Sequence, residues 1–112
     1  MNYITFNAGN KEYKLRLNTR NVILLEKQLG CNPLHIFGDG ETVPTITVMV
    51  AILHASMQQY NHNISLNDAY DIFDRWIEDG NDSTAFLNII LDIYKASGII
   101  PKDAQEEEVK NA

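Results

Sequence analysis

Nucleophilic chemistry in this chain would have to start from its one thiol, Cys31, and proton transfer near neutral pH from His35, His54 or His62. The three histidines form no HxxxH pair, and none lies beside another His or Cys at ligand spacing, so the pattern offers no metal centre. Cys31 directly follows Gly30, a helix-stop residue, where the negative end of a helix dipole disfavours a thiolate, so the expected role is a buried structural thiol. His35 is close in sequence, but a nucleophile pair needs a third group to orient it, and none is identifiable. His54 falls on the polar strip of an otherwise apolar helix, which suits a hydrogen-bonded structural role. Asp68, Asp71 and Asp74 follow one another at about one helical turn, whereas two-carboxylate chemistry needs acids converging across a cleft. They read as a solvated face. Asp39-Gly40-Glu41 is too short and too poor in oxygen ligands for a calcium loop, and the glycines fall at helix ends and turns rather than in a phosphate cradle. No catalytic constellation, cofactor site or metal site emerges, and an enzyme is not expected.

The totals narrow the class. A chain of 112 residues is long enough for one domain with a real core. Nine basic against fifteen acidic residues give a net charge of −6, which argues against a nucleic-acid groove. The acids are dispersed, so solubility explains the balance better than mimicry of DNA. The lone cysteine suits a reducing cytosol. The start, MNYITFNAGNK, lacks the basic and apolar regions of a signal peptide, and no apolar run approaches the roughly 20 residues of a bilayer span. The expectation is a cytosolic protein that binds neither nucleic acid nor membrane.

The elements that would position any site are organised around Thr45–Tyr60. Wound as a helix, this stretch puts Ile46, Met49, Val50, Leu53, Met57 and Tyr60 on one face, with Val48, Ile52 and Ala55 on the flank. Only Thr47, His54 and Gln58 remain polar, so the helix belongs in the middle of a domain. Its β-branched start also suits a strand, but the stretch is too long for one. Upstream, Tyr3–Asn7 and Lys11–Leu17 alternate polar and apolar residues around Asn7–Asn10, the pattern of a β-hairpin. A helix capped by Asn18 or Thr19 follows, burying Val22, Leu25 and Leu29, with Ile23 and Leu24 flanking them, and ends at Gly30. Asn32-Pro33 opens a one-turn piece, Pro33–Phe37, closed by Gly38, and Asp39–Pro44 is a polar loop.

Downstream, Ser65 and Asp68 make a capping box for a helix Leu66–Asp79. It turns Ala69, Phe73, Trp76 and Ile77 inward, holds Tyr70 and Ile72 at its margins, and carries Asp71, Asp74 and Arg75 outside. Asp82 or Ser83 caps a last helix bearing Phe86, Ile89, Ile90, Ile93 and Tyr94, which Gly98 ends. The expected fold is mainly α (α+β), a single domain over residues 1–100. In it a hairpin (3–17) packs on a helical body (18–98) of about four helices plus a one-turn helix. Residues 101–112 are expected to form a flexible acidic tail, too poor in apolar side chains to order itself.

Two features point to binding: five tyrosines (Tyr3, Tyr13, Tyr60, Tyr70 and Tyr94) and a hairpin with an exposed polar end, able to offer an edge strand. The order of elements then carries a resemblance. The hairpin holds Phe6, Gly9 and Tyr13 as F-x-x-G-x-x-x-Y, followed by Leu15-x-Leu17. Next comes the helix N-V-I-L-L-E-K-Q-L-G with Glu26 ahead of Gly30, then Pro33-Leu34, a helical remainder and a charged tail. Over roughly residues 3 to 98 this resembles the tail assembly chaperones of phages with long, flexible (siphovirus-type) tails, and the related gene-transfer-agent proteins.

The resemblance implies a non-enzymatic protein without cofactor, acting in the host bacterial cytoplasm and absent from the mature virion. Its partners would be the tape measure protein and, through a frameshift-extended form, the tail tube protein; this chain would be the shorter product. Self-association into a homo-oligomer stays open. Under that reading a groove between the hairpin–first-helix unit and the last two helices would hold the partner, with Tyr70, Trp76, Phe86 and Tyr94 as candidate contacts. Simple core packing is the competing reading for Trp76 and Phe86. The rival functions are a small acidic phage or bacterial protein that inhibits or regulates a partner, and a minor structural tail protein.

Overall fold

In a computed structural model, residues 2–37 and 43–104 are described. The chain runs β1 (Ile4–Ala8), β2 (Lys11–Leu15), α1 (Thr19–Leu29), a one-turn 3-10 helix (Pro33–Phe37), α2 (Ile46–Met57), α3 (Leu66–Glu78) and α4 (Phe86–Ser97). A short 3-10 turn, Ser83–Ala85, leads into α4. The architecture is the expected one, an N-terminal hairpin on four helices and a one-turn helix.

The hairpin pairs Phe6 with Tyr13 and Ala8 with Lys11, leaving Gly9 and Asn10 as a two-residue turn, tighter than the Asn7–Asn10 turn expected. Gly9 has φ 63, while no non-glycine among the described residues has positive φ. That fits the primed hairpin turn with glycine at its first central position. Alternation then sends Phe6, Ala8, Tyr13 and Leu15 to the buried face. Hydrogen bonds from the backbone of the hairpin segment help to fix it on the helices. The Gly9 N–H donates to Asp79 Oδ2 at 2.8 Å, and the Arg16 N–H donates to the Ser56 carbonyl at 2.9 Å.

Local chemistry sets the helix ends. Asn18, Thr45 and Ser65 accept from the backbone N–H groups of Asn21, Val48 and Asp68, each satisfying a donor that the first turn leaves open. Ser65 and Asp68 complete the capping box. Gly30 closes α1 at φ 74, its N–H on the Glu26 carbonyl. α2 stops at Met57, short of Tyr60. The side-chain amide of Gln58 bonds the carbonyls of His54 and Ile64, and the N–H groups of Tyr60 and Asn61 both return to Met57, which turns the chain. Asp82 caps the 3-10 turn rather than α4 directly.

The core is one cluster. α2 is buried throughout from Met49 to Met57 except at half-buried His54, as a central helix should be. An aromatic knot joins the hairpin to the last two helices: Phe86 lies 5.4 Å from Phe73, 5.6 Å from Trp76 and 6.1 Å from Phe6, centroid to centroid. These are edge-to-face geometries, each adding to the burial of the rings.

Three expectations need correcting. Ile46, placed on the buried face, is 50% exposed, because the opening turn of α2 lies outside the packing that covers it from Met49 onward. Ile23 and Leu24 are 47% and 43% exposed, because α1 is covered only on the side of Asn21 and Leu25. The packed body also reaches further than residue 100. Ile100 and Ala104 are buried, and the Ala104 N–H bonds the Pro101 carbonyl. The rest of the expected tail, 105–112, and most of the Asp39–Pro44 loop lie outside the described residues.

Phe86→Ala should lower unfolding free energy by about 3–5 kcal/mol, as for a buried aromatic removed from a packed core. Ser65→Ala should cost only about 1 kcal/mol, the worth of a cap. Urea titrations followed by circular dichroism measure both, and equal losses would contradict the placement of Phe86 at the knot.

Candidate functional site

The four residues expected to line a groove do not share a surface. Trp76, Phe86 and Tyr94 are 5%, 0% and 0% exposed. Trp76 and Phe86 are members of the aromatic knot, and the Tyr94 hydroxyl donates to the Pro33 carbonyl at 3.0 Å. Burial, with a smaller push from Cys31, lifts the Tyr94 phenol pKa well above its ordinary value. These three are core residues, since a helix face that meets two other elements leaves no room for a ligand. Tyr70 alone is open, at 48% exposure.

The other tyrosines also separate. Tyr13 is buried beneath the hairpin. Tyr3 and Tyr60 meet edge to face at 5.7 Å, and both hold Lys14, whose Nζ lies 5.0 Å and 5.8 Å from their ring centroids. This cation–π clasp ties the β1 end to the α2–α3 turn.

What does open between the hairpin and the helices is a hollow of about 470 Å³ beside β2. Lys11, Glu12 and Tyr13 form one wall, Asn61 and Ile64 one end, and α3 the other wall with Asp68, Asp71, Ile72 and Arg75. The helical step sorts α3 into sides. Ala69, Ile72, Phe73 and Trp76 turn to the core, while Asp68, Asp71 and Arg75 turn to the hollow. Tyr13, Ile64 and Ile72 are its apolar members; Lys11 and Glu12 on one wall stand opposite Asp68, Asp71 and Arg75 on the other. Asp68 already accepts from the Ser65 N–H, and its hydrogen bonds to the Ser65 backbone and side chain hold its pKa below the usual value. The hollow has cations and anions for polar contacts but no nucleophile. Its walls come from three separated segments, so no sequence motif marked it.

The sulfur and imidazole groups lie elsewhere. Cys31 is exposed, not the buried thiol expected. His54 is half-buried, and its Nδ1 has no hydrogen-bond partner among the described residues. Desolvation lowers the His54 pKa, and a hydrogen bond to the Ile64 backbone offsets this in part. Among the described residues no group of three His, Cys, Asp or Glu side chains could hold a metal ion, and no helix is long and apolar enough to cross a membrane.

The chain belongs to a family of unknown function, DUF6096, which it matches over residues 2–111. No curated protein and no solved structure matches it.

His54 makes stability depend on pH. Its pKa is lowered on folding from 6.5, so between the folded value and 6.5 the unfolded chain binds more protons. The contribution is therefore complete above 6.5 and is lost as pH falls through the folded value. Thermal melts between pH 7.5 and about 5 should show a decline that His54→Gln flattens. An unchanged slope in that variant would contradict the assignment.

Proposed function

We propose that this protein is a non-enzymatic tail assembly chaperone for a long, flexible-tailed phage, and that it holds the tape measure protein at the hollow between β2 and α3. The observation that carries this reading is the hollow itself, an apolar floor with charged walls beside a strand that pairs with no second strand besides β1 among the described residues. Such a surface takes side chains of a polypeptide laid across it and offers backbone groups along the rim. It contains no thiol, hydroxyl–imidazole pair or metal cluster with which to react.

A tape measure protein is a long helix with an apolar stripe, prone to aggregate until the tube forms around it. Covering part of that stripe with a body of net charge −6 keeps the complex dispersed. The frameshift-extended form of the chain would add the contact to tail tube protein. The place of action is the host bacterial cytoplasm, and the chain is absent from finished particles. That last property separates the chaperone from a minor structural tail protein.

Reversing the two cations of the hollow tests the site. Lys11→Glu with Arg75→Glu, both exposed positions, should leave the fold intact and lower the soluble yield of co-expressed tape measure protein roughly tenfold, the worth of about 1.4 kcal/mol of binding. An unchanged yield would overturn the hollow as the binding site.

A further inference from the structure

Two exposed helix faces of this chain complement each other. On α1, Arg20, Ile23, Leu24 and Lys27 recur at three- and four-residue steps on the side turned away from Asn21 and Leu25. All four are exposed, and two branched apolar side chains stand between two cations. On α3, Tyr70, Asp74 and Glu78 form a stripe one turn apart, on a different side from the residues that line the hollow. Tyr70 is among the most exposed large apolar side chains, and Asp74 and Glu78 are exposed acids. None of these four charges forms a salt bridge among the described residues.

We infer that the occupant of the α1 face is the α3 face of a second copy of this chain. The match is one of apolar character and sign. Tyr70 laid against Ile23 and Leu24 removes three exposed apolar groups from water together. Asp74 lies one turn from Tyr70, just as Arg20 lies one turn from Leu24 and Lys27 one turn from Ile23. Seating Tyr70 between the two aliphatic residues therefore brings Asp74 within reach of one of the two cations, Arg20 or Lys27 according to the relative direction of the helices. In a chain of net charge −6, the α1 stripe is a basic island, so a neighbour is steered to it rather than elsewhere.

Where one pair of copies makes both contacts at once, the result is a two-fold dimer; where each copy uses α1 toward one neighbour and α3 toward another, copies add head to tail as a ring or an open array. A contact of one helix on another is small, so assembly depends on concentration and weakens with salt. It is independent of the chaperone reading, since the hollow faces a different way.

A charge exchange tests this. One variant carries Arg20→Glu and Lys27→Glu; the other carries Asp74→Lys and Glu78→Lys. All four positions are on the surface, and circular dichroism should show wild-type helix content in both. In sedimentation velocity up to about 1 mM, the wild type should exceed the monomer mass, and each variant alone should be at least tenfold weaker in self-association. An equimolar mixture of the two should assemble again, because the acidic α1 of one meets the lysine-bearing α3 of the other, and the remaining native faces also match. A monomeric wild type, a variant that assembles as well as wild type, or a mixture that stays monomeric would each overturn the proposal.

Discussion

The seat of Phe6 in the aromatic knot is the contact on which the other arrangements depend. A two-stranded hairpin is marginal alone and needs a helical surface beneath its apolar face. Phe6 supplies the anchor, at 5.8 Å from Trp76 and 6.1 Å from Phe86, which brings three segments distant in sequence into one packed cluster. The hydrogen bonds at Gly9 and Arg16 then set where the two ends of the hairpin lie. Burial supplies most of the free energy, and the polar ties choose one docking geometry among those that burial would permit.

That geometry also creates the hollow. Asp79 holds the turn close to the end of α3, and the Ser56 carbonyl holds the far end of β2 near the end of α2. Between these fixed points β2 and the middle of α3 leave a wedge, lined by exposed charges above Tyr13, Ile64 and Ile72. α3 consequently does three jobs around its circumference: it closes the core, walls the hollow, and presents Tyr70 with an acidic stripe. Its division into these sides follows from the hundred-degree step per residue, with the inner arc taken by Ala69, Ile72, Phe73 and Trp76.

Where structure is decided by neighbours in sequence, the chain could be read directly. The caps Asn18 and Ser65, the stops Gly30 and Gly98, and the 3-10 turn opened by Asn32-Pro33 all stand where side-chain chemistry places them. Periodicity also named the apolar sides of α2 and α4. It does not tell how wide an arc the rest of the fold covers. Ile23, Leu24 and Ile46 have the residue types of a core and lie outside it, while Trp76, Phe86 and Tyr94 have the types of an interface and lie inside. Which of these happens depends on contacts between segments that are far apart in the chain. The hollow is of the same kind, because β2, the α2–α3 turn and α3 contribute to it separately.

The charged, apolar-floored hollow supports the proposal that the chain holds a polypeptide. The most direct test is to affinity-purify the tagged full chain from cells producing the phage and identify its companions by mass spectrometry, alongside purified virions. Tape measure protein bound to the chain, with the chain missing from virions, is the predicted result. A chain that carries no tape measure protein, or that is present in finished virions, would contradict a chaperone role.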